Sequence, residues 1–70
     1  MPGLTWDDTE DIAIELYEQR PETDPLTVLF TDLHTWITEL DDFEDDPARS
    51  TEGKLEAIQM AWYEEYKENR

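Results

Sequence analysis

The chain has 70 residues, of which 20 are Asp or Glu and only 5 are Lys or Arg, giving a formal charge of −15. That balance excludes nucleic-acid binding, because neutralising phosphates needs a basic patch that so few cations among so many carboxylates do not make. The absence of cysteine excludes disulfides, a thiolate nucleophile and cluster-ligating sulfurs. A chain this short is one domain, residues 1–70, and buries only about 60% of its unfolded surface. Its hydrophobic fraction of 37% sets it near the compositional edge of disorder, and three Trp, three Tyr and two Phe, several at helical spacing, bring it onto the folded side. No apolar run is long enough to span a membrane, and Met1-Pro2-Gly3-Leu4 has neither the basic nor the apolar region of a signal peptide, so a cytoplasmic protein is expected.

Three segments carry a period near 3.6. Asp7-Asp8-Thr9-Glu10 offers a cap residue with an acid three positions on, a capping-box pattern, with Trp6 expected to pack over the start of the helix. Ile12, Ala13, Leu16 and Tyr17 then make one apolar face that ends before Arg20-Pro21, while Asp11, Glu15 and Glu18 share the opposite face. Like charges at that spacing cost a few tenths of a kcal/mol per pair, so this helix depends on its packing. Pro21-Glu22-Thr23-Asp24-Pro25 reads as a turn, and Thr27-Val28-Leu29-Phe30 as a short strand or extended linker. With Thr31 as cap, Leu33, Trp36, Ile37 and Leu40 form the core stripe of a second helix. Ser50 or Thr51 caps a third, with the stripe Leu55, Ile58, Trp62, Tyr66; Gly53 weakens its first turn, and the tail from Glu64 is expected to fray. A helix, a short extended run and two more helices is the opening order of a winged-helix domain, but no wing hairpin follows. The expected fold is therefore mainly α, a small three-helix domain of modified, wing-less winged-helix type.

Between the second and third helices lies Asp41-Asp42-Phe43-Glu44-Asp45-Asp46-Pro47, five carboxylates within six positions. If the second helix runs on to Asp42, Asp32, Glu39 and Asp42 line one flank and lead into Glu44, Asp45 and Asp46. Six carboxylates so placed suit hard or borderline cations such as Mg²⁺, Ca²⁺, Mn²⁺ or Fe²⁺. The same pattern also describes an ordinary solvated helix end. A tight cage is not expected of ligands on a glycine-free loop, and an EF-hand is excluded because Pro47 stands where its loop needs glycine. His34 borders the core stripe and reads as a partly buried structural imidazole. With no cysteine, no nucleophile motif around Ser50 and no sign of a pocket, catalysis is not expected. Met60 and Tyr63 lie off the third stripe as a candidate apolar contact. An acidic chain of this kind can also act as a mimic of DNA or as a purely electrostatic inhibitory docking module.

Thr27-Val28, Phe30-Thr31-Asp32-Leu33-His34, Trp36-Ile37, Leu40 and Asp42-Phe43-Glu44-Asp45-Asp46-Pro47, with Asp24-Pro25 before them and Leu55-Glu56-Ala57-Ile58 and Trp62 after, closely resemble the IscX (YfhJ) family. Leu4, Trp6, Leu16 and Tyr17 extend the resemblance over nearly the whole chain. It implies a bacterial accessory protein of iron–sulfur cluster assembly with a modified winged-helix fold. Such a protein binds ferrous iron weakly through surface carboxylates, carries no cluster of its own, and docks on the cysteine desulfurase in competition with bacterial frataxin. The matching acidic positions, for metal and partner alike, are Asp32, Glu39, Asp42, Glu44, Asp45 and Asp46. The chain departs from the pattern at Thr38, where a relative has cysteine, and at Glu44, where it has aspartate; both leave the acidic face charged. A monomer is expected.

Overall fold

The computed structural model describes residues 3–69; Met1, Pro2 and Arg70, the ends of the two tails read above, lie outside the described residues. Three helices follow in order, α1 (Thr9–Gln19), α2 (Phe30–Thr38) and α3 (Glu52–Glu68), with 3-10 turns at Pro25–Thr27 and Pro47–Arg49. Among the described residues β-structure is confined to one isolated parallel bridge, Leu4 with Phe43. The mainly α, three-helix expectation therefore stands.

α1 buries Ile12, Ala13 and Leu16 on the expected face and stops where Arg20 N donates to Leu16 O (2.9 Å), before Pro21. Its expected capping box does not form. Asp8 is the N-cap, yet its carboxylate turns backwards and accepts from Thr5 N (2.9 Å) and Thr5 Oγ1 (3.3 Å). Glu10 and Asp11 still favour this end electrostatically, because the helix N-terminus is the positive end of its dipole.

The run after the first turn is not a strand. Asp24 caps a 3-10 turn through Leu26 N (3.0 Å), Val28 and Leu29 are extended, and Phe30 already belongs to α2. The N-cap is thus Leu29 rather than Thr31, with no side-chain cap. α2 is also shorter than its stripe. Leu33 and Ile37 are buried inside it, whereas Leu40 reaches the core from beyond its last residue, Thr38. Glu39, Asp41 and Asp42 crowd this C-terminus with no basic residue in the last turn, so the negative end of the dipole works against continuation. Leu40 N donates instead to Ile37 O (3.1 Å) and Phe43 N to Leu40 O (3.0 Å), and the chain leaves the helix as a series of tight turns.

Thr51 caps α3 by accepting from Lys54 N (3.1 Å), and Leu55, Ile58 and Trp62 are buried as the periodicity predicts. The expected fraying from Glu64 is not what the structure has: the helix continues to Glu68, with Tyr63 and Tyr66 stacked at 6.5 Å and Lys67 paired to Glu64 at 3.3 Å. α1 packs chiefly on α3, and Gln59 Nε2 ties the 3-10 turn to α3 through Pro25 O (2.9 Å). Trp36 meets Trp62 edge to face (6.3 Å) and carries the Arg20 guanidinium 4.1 Å above its ring. The radius of gyration, 11.0 Å, matches the roughly 11 Å of a well-packed chain of this length.

Trp6, expected over the start of α1, is buried in the core, 2% exposed, in one cluster with Ile12 and Ala13 of that helix, stacked on His34 (5.5 Å) and in T-shaped contact with Phe43 (4.9 Å). His34 fits its reading as a partly buried structural imidazole. Its Nε2 lies 2.8 Å from Pro47 O and must carry the proton, since a carbonyl only accepts.

Candidate functional site

The acidic segment between α2 and the Pro47–Arg49 turn is fastened from one side by residues 3–6. Leu4 N donates to Asp42 O (2.6 Å) and Glu44 N donates to Leu4 O (2.8 Å), so the bridge grips the backbone on both sides of Phe43. Gly3 N donates to Glu44 Oε2 (3.1 Å) and Trp6 N to Asp45 Oδ2 (3.1 Å), while Trp6 Nε1 donates to Asp46 O (2.8 Å). Asp46 in turn caps the 3-10 turn through Ala48 N (2.9 Å). Three of the expected site carboxylates thus already accept backbone N–H groups, and the segment is a built loop rather than a loose one. Hydrogen bonds to the charged form have the expected effect on Asp45. The Trp6 and Asp46 amides, with help from the Arg49 and Lys54 charges, hold its carboxyl below the ordinary aspartate range.

Across the loop from Asp45, an open groove of about 630 Å³ runs between it and α1. Asp41, Asp42 and Glu44 line one wall and Asp8, Asp11 and Glu15 the other, with Leu4 and Ile14 as apolar neighbours. Here the field is strong enough to perturb a side chain. Partial burial, the Asp42 charge, a hydrogen bond to Asp42, and the Glu18 and Asp11 charges all push the Glu15 carboxyl up.

The continuous flank expected along α2 is broken by the early helix end. Asp32 sits exposed in the first turn of α2 and Glu39 at its C-cap, and neither lines the groove. Asp42 and Glu44 face it. Asp45 opens instead into a smaller cavity of about 280 Å³ beside Thr5, Asp7, Arg49 and Lys54, where Lys54 Nζ meets Asp7 at 2.5 Å. The structure therefore joins Asp42 and Glu44 to carboxylates of α1. Asp11 and Glu15 were visible in the sequence as an acidic helix face, but nothing local places that face against a loop some thirty residues away.

The oxygen donors suit ferrous iron by type. Among the described residues, however, no three His, Cys, Asp or Glu groups converge as a ready coordination sphere. A metal held at this face would have one or two protein ligands and keep most of its water.

Fold and site together define a small, acidic, three-helix protein whose carboxylate loop is clasped by its own N-terminal segment. The model of a family described as iron–sulphur cluster assembly matches residues 4–67. An uncharacterized protein of Pseudomonas aeruginosa is 56% identical over 63 residues, covering 90% of this chain and 96% of its own length. The chain belongs to that assembly family, the IscX (YfhJ) family, and has a role in iron–sulfur cluster assembly. The family is one of accessory proteins rather than catalysts. No helix among the described residues is long and apolar enough to cross a membrane.

Proposed function

We propose that the protein is a regulator of iron–sulfur cluster assembly that docks its acidic loop face on a basic surface of the cysteine desulfurase, in competition with bacterial frataxin. The observation that carries this reading is the clasped loop itself. Asp42, Glu44, Asp45 and Asp46 are carried on a backbone tied at both Leu4 and Trp6, so a strong negative field has a defined shape. A field of that kind steers association with a positive partner and sets its register more than it adds raw affinity. Asp32 and Glu39, exposed on α2, extend the charge beyond the loop. On this reading ferrous iron binds weakly to the same face through one or two carboxylates at a time, drawn from Asp42, Glu44, Asp45 and Asp46, with Glu15 beside Asp42 and with Asp32 and Glu39 as outlying ligands. Binding would discharge part of the face and weaken or redirect docking. The protein works as a cytoplasmic monomer, with self-association opposed by the net charge of −15.

Calorimetric titration into the cysteine desulfurase, with and without Fe²⁺ and at two salt concentrations, tests it. Binding that weakens with salt and changes with iron is the expected result. Binding indifferent to iron leaves a purely electrostatic inhibitory module. No binding at either salt overturns the proposal. Replacing Asp42, Glu44, Asp45 and Asp46 by their amides removes four negative charges from the loop and is expected to abolish iron and desulfurase binding together, with circular dichroism showing the helices retained.

A further inference from the structure

Five carboxylates in six positions repel one another, so the loop needs an external hold to keep one shape. Three of its anchors converge on one residue. Trp6 donates its amide to the Asp45 carboxylate and its indole N–H to Asp46 O, and it stacks its ring on His34, which itself donates to Pro47 O. Phe43, the one apolar side chain inside the acidic run, sets an edge against the same ring. Ahead of Trp6, Leu4 supplies the backbone bridge and Gly3 N takes the end of Glu44. The approach at Gly3 is so close that a Cβ there would collide with the Glu44 side chain. The loop is therefore gripped from its exposed end to the core by a segment that brings backbone amides to the Glu44 and Asp45 carboxylates and an indole N–H to the Asp46 carbonyl, with no cationic side chain.

We propose that Trp6 is the positioning residue of the acidic loop, and that Gly3–Trp6 is a clasp setting the arrangement of carboxylates that a basic partner surface reads. This rests on the docking function proposed above and adds that shape, not charge count alone, determines affinity. A solvent-exposed acidic loop without the clasp would keep its charge and lose its register.

Two variants separate shape from charge, because both retain every carboxylate. Trp6→Phe keeps an aromatic ring against His34 and Phe43 but deletes the indole donor to Asp46 O. Gly3→Ala forces the Glu44 side chain away from the Gly3 amide. Each is titrated into the cysteine desulfurase at two salt concentrations, and amide-proton exchange is measured at Leu4 and Glu44. The expected result for Trp6→Phe is affinity lowered about five-fold, the worth of one hydrogen bond, with an unchanged salt dependence and faster exchange at both amides. Asp45→Asn, which keeps an acceptor oxygen and removes a charge, should instead flatten the salt dependence. Wild-type affinity in both Trp6→Phe and Gly3→Ala, despite faster exchange, overturns the proposal, as does unchanged exchange. Should Trp6→Phe fail to fold, Gly3→Ala alone decides, with the same direction expected. A wild type that fails to bind at either salt overturns the docking function, and the clasp's part in it falls with it; only that result is independent of the variants.

Discussion

At the scale of single residues, two carboxylates show how position decides chemistry in a chain that has 20 of them. Asp45 accepts amide N–H groups in the presence of Arg49 and Lys54, which favours its ionised form; Glu15, partly buried opposite Asp42, is pushed the other way. The consequences for stability have opposite signs. Because the folded-state pKa of Asp45 is depressed, its contribution is present above the ordinary aspartate range and is lost as pH falls through the lowered value. Because that of Glu15 is raised, the folded state binds a proton more readily than the unfolded chain. Its ionisation therefore weakens the fold as pH rises through the raised value. Urea midpoints should accordingly rise from neutral to mildly acidic pH and fall again in strong acid. Glu15→Gln should be more resistant to urea than the wild type near neutral pH and should lose that advantage at mildly acidic pH. An equal gain at both would mean that the carboxylate pair is not the cause. Neither shift is visible in the residue types. Burial and Asp42 raise the pKa of Glu15, and the Trp6 and Asp46 amides lower that of Asp45; Asp42 and Trp6 are distant from their partners in the chain.

At the scale of the helices, local signals and packing divide the work unevenly. α3 follows its sequence closely: Thr51 caps it, and Leu55, Ile58 and Trp62 turn inward at the expected spacing. Removing the cap oxygen with Thr51→Ala should cost about 1 kcal/mol. Gly53, by contrast, sits exposed in the first turn, where an added Cβ meets nothing closer than Thr51 Oγ1 at 3.9 Å and the backbone is not left-handed. Gly53→Ala should therefore stabilise by roughly 0.5–1 kcal/mol, through the unfolded chain's lost freedom and better helix propensity. Chemical denaturation of both variants checks the pair, and a destabilised Gly53→Ala would show that its freedom is used. α2 was legible as a core stripe but not in length. Periodicity continues through Leu40, because a buried residue just past the helix keeps the same direction into the core, and only the tertiary packing shows that Leu40 is delivered by a turn. Caps proved less legible than stripes. Asp8 spends its carboxylate on Thr5, and α2 starts at Phe30 without a side-chain cap, so packing compensates for what local chemistry leaves out. Trp62 Nε1 lies buried with no hydrogen-bond partner among the described residues, a cost that the core packing around the ring, the Trp36 contact included, must exceed.

At the scale of the molecule, a net charge of −15 on a 70-residue body works against compactness. Among the described residues the ion pairs between side chains do little to offset it, since Lys54–Asp7 and Lys67–Glu64 are both exposed and such pairs contribute about 0–1 kcal/mol. Screening should do more. The Debye length shortens from about 30 Å at 0.01 M salt to about 8 Å at physiological strength, against principal extents of 32 × 26 × 16 Å. The thermal midpoint should therefore climb with sodium chloride over that range, and a flat response would mean that the repulsion is already relieved within the fold. The same screening weakens docking to a basic partner, so added salt should stabilise the free protein while loosening its complex. By itself the sequence determined the helices, the inward stripes, the acidic run and the membership of an iron–sulfur assembly family, because these depend on residue type and short spacing. Only the tertiary structure decided where Trp6 goes, that the acidic run is clasped, and that α1 supplies the facing carboxylates of the groove. Those arrangements join segments some thirty to forty residues apart, and no periodicity in the chain encodes which surface meets which; packing around the shared core does.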